Sequence, residues 1–471
     1  MSRPHPLFTK RAAGVLMHPT SLSKGHGIGD IGPGARHFMN WMSKAGLSLW
    51  QMLPIGPIGR GNSPYSGRSA FAGEPLLISL DDLAEDGLLT RRSIRCPDDL
   101  ATGRTRYAAA RRFKMARLKD AFDQFRRSNR ARSRRYRDFV KENRYWLDDW
   151  CLFAGGDPDE QVFIQYVFDS QWKALRKHAN DQGIRLVGDL PIFMDSDSAD
   201  VTQHPELFAL DRSGKPKWLT GVPPDSFSRN GQLWNHPQYR WPAHRDENWR
   251  WWTARFRQAL DRFDALRLDH FIGFVRLWHV PASARTARHG TWRPTPGRDL
   301  LQTLRRRLGP LPIIAEDLGA KTPAVDRLRD DFGLPGMRIL QWAFGSTENG
   351  DLPHNHPAQA VVYPGTHDNE TASGWARQLD PSSKRRFQAY AGEDQSPPEA
   401  MVRLAMTSPA TWAICMTQDL LDLPPATRMN RPGVARGNWT WRLSEGTLSN
   451  LRARSIRRLV ESSGRLSGAN S

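Results

Sequence analysis

The chain has 471 residues, 39% hydrophobic and 25% charged, with a formal net charge of +19, and this length and composition suit one large barrel with insertions and a substantial core. It holds no run of about 18 apolar residues, and the N-terminal MSRPHPLFTKR has no apolar core, so neither a transmembrane helix nor a signal peptide is expected. Cys96, Cys151 and Cys415 are too few and too far apart for a disulfide framework or a CxxC zinc site, and the expected location is cytoplasmic.

The first strand signal is GVLMHP, from Gly14. Gly27, Gly29 and Gly32 then fit GxGxxG, but Pro33 follows directly and no βαβ pattern with an acidic ribose partner comes after, so a dinucleotide site is set aside. LSLWQMLPIGP, from Leu47, is the second strand signal. From Pro54 to about Asp181 the chain is too long for one βα loop. Residues 55–182 are therefore expected to form an inserted subdomain, largely helical from about Arg104 to Trp150. Basic residues concentrate between Arg104 and Arg137, where Met115, Leu118, Phe122 and Phe125 recur at helical spacing. The arginines read as the outer faces of helices, since no RNP, KH or zinc-finger signature accompanies them.

A helix from about Phe163 carries Trp172, Leu175 and Ala179 and stops at Gly183, ahead of the third strand, IRLVGDLPIF from Ile184. Residues 195–248, rich in Pro, Trp and Asn, read as a second insertion made of long loops rather than regular structure. A helix from about Asn248 carries Trp252, Phe256 and Leu260. Strand signals follow in ALRLDHF (Ala265), LPIIAEDLG (Leu311), MRILQWAF (Met337) and AVVYPGTHDN (Ala360), with a weaker one in TWAICMTQDLL (Thr411). Residues 451–471 read as a polar, basic tail. Eight strand signals with intervening helices predict an α/β fold: a (β/α)8 TIM barrel over residues 12–450, with helical and loop-rich subdomains around its C-terminal face.

Three of the strand signals run into acids: RLDH (Arg267 to His270), IIAEDLG (Glu316, Asp317) and GTHDNE (His367 to Asn369). Strand C-termini are where barrel enzymes keep their catalytic groups. Two carboxylates, one nucleophilic and one acid/base, are the minimum for retaining glycoside chemistry, about 5–5.5 Å apart. Arg267 and Asp269 share a strand face, and a guanidinium beside a carboxylate favours the anion that a nucleophile needs. Glu316 follows an apolar run, which favours the protonated form of an acid catalyst; Asp317 points to the opposite side of an extended chain. Asp368 can accept hydrogen bonds from sugar hydroxyls and His367 can donate one. Each motif alone also fits a structural ion pair, a satisfied buried acid or a turn; the three in order are harder to explain that way. Most of the 18 Trp are expected in packing, with Trp234, Trp342 and Tyr65 candidates for stacking on sugar rings. His354 and His356 read as surface residues, and neither a GxSxG elbow nor a Walker loop is present.

Together these motifs resemble the 4-α-glucanotransferases called amylomaltases or disproportionating enzymes, in the α-amylase clan. The resemblance runs from HPTSLSKGHGIGDIG (His18 to Gly32) to RMNRPGVARGNWTWR (Arg428 to Arg442). It passes through WQMLPIGP, SPYSGRSAFAGEPLLI, GDLPIF, DSADV, GVPPDSFSRNGQLW and PGMRILQWAF. It implies Asp269 as nucleophile, Glu316 as general acid/base and Asp368 as transition-state stabiliser. Arg267 and His367 resemble the supporting residues, Asp189 and Tyr65 sugar-contacting positions, and residues 221–240, with Pro224, Asp225 and Phe227, a lid. It also implies maltooligosaccharides and starch- or glycogen-derived glucans as substrates, glucose as an acceptor, and neither metal nor organic cofactor; no specific nucleic acid and no membrane are expected as partners, from the absent binding signatures and the absent long apolar run. The chain departs from the family pattern at Ser226 (commonly Tyr), at Asn235 and His236 in QLWNHP (commonly QxWGNP), at Glu74 in SAFAGEP (commonly Asn), at Arg60 (often aromatic) and at Glu370 (commonly Asp). An α-glucan hydrolase sharing the first half-reaction, and a non-catalytic glucan- or nucleic-acid-binding protein, are the competing readings.

Overall fold

The computed structural model describes residues 3–101, 103–224, 228–392 and 394–466. Eight parallel strands close into a barrel: β1 (Ala12–Leu16), β2 (Leu49–Gln51), β3 (Arg185–Leu190), β6 (Ala265–Leu268), β9 (Ile313–Ala315), β10 (Gly336–Ile339), β11 (Ala360–Tyr363) and β12 (Trp412–Met416). They neighbour one another in chain order, and β1 closes the ring by pairing with both β2 and β12. Each of the eight sequence signals supplies one strand. They read as unbroken apolar runs because a parallel strand under helices is covered on both faces; β1, β6, β9, β11 and β12 are buried throughout. Gly14 lets β2 approach, since a Cβ there would lie 2.6 Å from the Leu49 Cβ.

The connection from β2 to β3 carries the helices Tyr107–Arg127, Arg134–Ala154 and Pro158–Asp181. Leu118, Phe122 and Phe125 are buried beneath the arginines of the first of these. The third begins at Pro158 rather than near Phe163, because Asp157 caps it (side chain to the Asp159 N–H, 2.9 Å) and Pro158 presets the first turn. It ends as expected at Gly183, with φ +72°.

Residues 195–248 differ from the expectation of long loops. They contribute β4 (Trp218–Val222) and β5 (Gln232–Pro237) to an antiparallel sheet of order β5-β4-β7-β8. The partners β7 (Arg276–Pro281) and β8 (Thr291–Pro294) come from the connection after β6. Four short edges from two distant segments satisfy one another's backbone groups, which neither segment achieves alone.

The segment expected as a basic tail also folds. Residues Asn450–Ser462 are a helix that buries Ala453, Ile456 and Val460 and packs against the helix Pro33–Lys44. Beyond it Arg465 is fully buried and donates to the carbonyls of Ala12, Met406, Ser408, Ala410 and Thr411 at 2.7–3.1 Å. It thereby ties the start of β1 to the turn before β12. Among the described residues no helix is long and apolar enough to cross a membrane.

Candidate active site

The C-terminal ends of β3, β6, β9 and β11 place their acids in one network. Asp189 on β3 is registered beside Arg267 on β6. The Arg267 guanidinium lies 2.7 Å from Asp189 Oδ2 and 3.0 Å from Asp269 Oδ1, so one buried cation serves two carboxylates. Asp269 is the most open of the three groups, its side chain 26% exposed against 0% for Asp189. Asp189 also accepts a hydrogen bond from the Tyr65 hydroxyl at 2.7 Å. Burial pushes Asp189 upward from the ordinary carboxyl range and the Asp269 charge adds to this, while Arg267 and Tyr65 oppose it.

Immediately after Asp269 the backbone turns sharply. His270 has φ +51°, a left-handed conformation uncommon outside glycine, and its N–H donates to Glu316 Oε2 at 2.7 Å. Reciprocal backbone bonds, Glu316 N–H to Leu268 and Phe271 N–H to Glu316, hold the two strand ends together. Glu316 is raised well above its ordinary value, first by burial, with the Asp269 charge reinforcing and Arg267 opposing. Asp317 leaves on the opposite face, as extended geometry requires. It is fully buried against Arg329, Lys321 and the Met337 N–H and stands outside the network.

The turn after β11 closes the other side. His367 stacks on Tyr65 with ring centres 5.1 Å apart and interplanar angle 16°, and Trp439 lies 6.0 Å from His367. Burial lowers His367, with the Asp368 charge opposing, which favours its neutral form. Asp368 is half exposed, 3.5 Å from His367 Nε2. The Tyr65 phenol is raised by burial and then by the charge of Asp189, with Asp269 and Asp368 adding to this and Arg267 opposing it. Trp234 sits edge-on to His270 at 5.0 Å and 6.0 Å from Phe193. Trp342 lies in the turn Leu340–Gly345 directly after β10, half-buried, its carbonyl bonded to Asn349. Pro224 follows β4; Asp225 and Phe227 lie outside the described residues.

The block RMNRPG, a mark of the resemblance to which sequence alone assigns no role, orients Asp368. Asn430 Nδ2 donates to Asp368 Oδ1 at 2.6 Å, and its own N–H donates to the His367 carbonyl at 3.2 Å. Arg428 donates to the Asp368 carbonyl at 2.7 Å and pairs with Glu370 at 3.1 Å. Two departures from the family pattern are also explained. Asn235 has φ +64°, a conformation that Asn tolerates where the family often has Gly. Glu74 is buried and accepts from the N–H groups of Ile58 (2.8 Å) and Leu76 (3.0 Å).

A family model described as 4-alpha-glucanotransferase matches residues 17–155 and 156–449. The 4-alpha-glucanotransferase of Thermus thermophilus is 41% identical, over 97% of this chain and 99% of that protein. The chloroplastic/amyloplastic enzyme of Arabidopsis thaliana is 38% identical, over 97% and 86%. An amylomaltase from Streptococcus agalactiae, solved in complex with acarbose, superposes with a TM-score of 0.91 at 34% identity, covering 97% of this chain and all of that one. With a barrel, an acid network and relatives that match over nearly their full length, the chain belongs to the 4-α-glucanotransferase family.

Proposed function

We propose that Asp269 is the nucleophile, Glu316 the general acid/base and Asp368 the stabiliser of a retaining transfer between α-1,4-glucans. The observation that carries this reading is the opposed environments of the two strand-end acids. Asp269 faces a buried guanidinium at 3.0 Å, whereas burial and the Asp269 charge keep a proton on Glu316. Asp269 attacks the anomeric carbon while Glu316 protonates the departing sugar oxygen, leaving a β-linked glycosyl-enzyme. Glu316 then takes the proton from the 4-hydroxyl of an acceptor, whose oxygen displaces Asp269 and restores the α-link. Two inversions give net retention.

Arg267, Asp189 and Tyr65 hold Asp269 on one side of the sugar, and the Tyr65 ring is a face for it to pack on. Asp368, fixed by Asn430, and neutral His367 meet the ring hydroxyls as charge develops. Maltooligosaccharides and starch- or glycogen-derived glucans are the donors, and a shorter glucan or glucose the acceptor, in a cytoplasmic enzyme. An acceptor sugar outcompetes water when it is held in attack geometry, where effective molarities reach roughly 10⁵ M. Incubation with maltotriose tests this. A ladder of longer oligosaccharides together with glucose is expected; shortened products alone would make the chain a hydrolase, and no turnover a binding protein.

A further inference from the structure

Among the described residues, five large hydrophobic side chains stand exposed: Tyr145, Leu152, Trp218, Val434 and Leu451. The two aromatic ones line two adjoining hollows on the flank of the barrel. The first, of about 610 Å³, is walled by Tyr145 and Trp146 of the inserted helix, by Phe71, and by Trp251 at the start of the helix Arg250–Arg262. The second, of about 660 Å³, is walled by Trp218 on β4 and the charged side chains around it. Glu206 lines both, so the turn Pro205–Leu207 forms the ridge between them. None of Asp189, Arg267, Asp269, Glu316, His367 or Asp368 lines either hollow.

The chemistry of the walls restricts the ligand. Tyr145 is 50% and Trp218 38% exposed, an unusual outlay of apolar surface for side chains that have packing partners nearby. Tyr145 meets Phe71 edge to face at 5.5 Å, and its hydroxyl reaches Gln258 at 3.4 Å, so the ring is held rather than loose. Around it acids and bases alternate: Asp149 on His204 at 2.8 Å, His204 beside Glu206 at 3.5 Å, Arg250 beside Glu247 at 3.7 Å. Such mixed charge favours neither a polyanion nor a polycation. An aromatic face bordered by donors and acceptors suits a ring that is apolar on its face and hydroxylated at its edge. Both volumes lie in the range of small-molecule pockets.

We infer that the paired hollows beside Tyr145 and Trp218 form a second glucan-binding surface, which holds a distant stretch of a polymeric chain while another stretch occupies the acid network. The inference rests on the proposed function for its ligand class. A polymer held at two places rebinds intramolecularly, so the second hold raises polymer affinity and leaves short substrates untouched.

The test runs the full chain through native gels with and without soluble glycogen, alongside maltotriose kinetics. The wild-type protein is retarded by glycogen. In the double variant Tyr145→Ala, Trp218→Ala the apparent affinity for glycogen falls at least about tenfold, while kcat and KM for maltotriose stay at wild-type values. Tyr145→Phe, Trp218→Phe keeps the rings and the retardation. Both variants retain the acid network, so polymer binding there is common to them and drops out of the comparison. Equal retardation of the alanine variant and the wild-type protein overturns the inference. So does a maltotriose KM that rises in proportion. Self-association of the wild-type protein that the alanine variant loses, with glycogen retardation intact, assigns the surface to a second copy of this chain and overturns it as well. A wild-type protein that builds no ladder from maltotriose sinks the transferase reading separately.

Discussion

Asn430→Asp replaces the amide that donates to Asp368 by a carboxylate of the same shape. The donor and acceptor are 2.6 Å apart. Two ionised carboxylates at that distance repel by about 6 kcal/mol at an effective dielectric constant of ~20 and by about 1.6 kcal/mol in water. Asp368 is half exposed, so a value near 3 kcal/mol is appropriate, equivalent to about two pH units in the proton affinity of the pair. The pair therefore retains one shared proton well above the range of an isolated carboxyl, and that proton substitutes for the missing N–H donor. The other groups beside the pair are His367, the Tyr65 phenol and Arg428, which donates to the Asp368 and Asn430 carbonyls and whose charge is offset by Glu370 at 3.1 Å. Glucose release from maltotriose is measured between pH 5 and 8. The variant should approach wild-type activity at pH 5 and fall behind it by tenfold or more by pH 8, whereas Asn430→Ala is impaired throughout. An Asn430→Asp profile that runs parallel to the wild-type curve would falsify the assignment of Asn430 as the residue that orients Asp368.

Asp269→Asn should lower transfer by about 10⁴-fold or more with an unchanged melting temperature; activity near wild type removes the nucleophile assignment. Glu316→Gln should lose maltotriose turnover by about 10²–10⁴-fold but retain glycosylation by maltosyl fluoride, whose leaving group needs no proton. Because the folded protein holds Glu316 protonated, its contribution to stability is complete below the unfolded value and is lost as pH rises through the elevated folded value. Glu316→Gln should therefore raise the melting temperature at pH 7 and leave it unchanged near pH 4; no gain at pH 7 contradicts the burial argument. Arg465→Ala strands carbonyls that Arg11 only partly covers, and should cost about 3 kcal/mol in denaturant unfolding while maltotriose activity at 25 °C is kept.

What could be read from the sequence followed the range of the forces involved. Each barrel strand announces itself because burial on both faces demands a local apolar run, and Asp269, Glu316 and Asp368 stand where those runs end. Even the separation of Glu316 from Asp317 follows from strand alternation. The side sheet is another matter: β4 pairs with β7 across a gap of about sixty residues, and neither strand is buried throughout as the barrel strands named above are. Asn430 likewise meets Asp368 through chain closure, with no local periodicity to mark it. The helix Asn450–Ser462 did leave a signal, since Ala453, Ile456 and Val460 recur at helical spacing, but the surrounding arginines masked it. The lid residues Asp225 and Phe227 and the stacking role of Trp342 remain proposals.

The seam between β1 and β12 has a consequence for synthesis. On a ribosome, β1 emerges early and has a neighbour on one edge only, and its other edge stays open until residues 412–416 appear. Arg465 then fastens that seam, and residues 428–430 arrive late to set the last acid. A nascent chain therefore carries Asp269 and Glu316 well before the segment that braces Asp368 exists. The arrangement is complete only once residues 428–430 and 465 have been made, and a product stopped before residue 412 leaves one edge of β1 unpaired and prone to edge-on association.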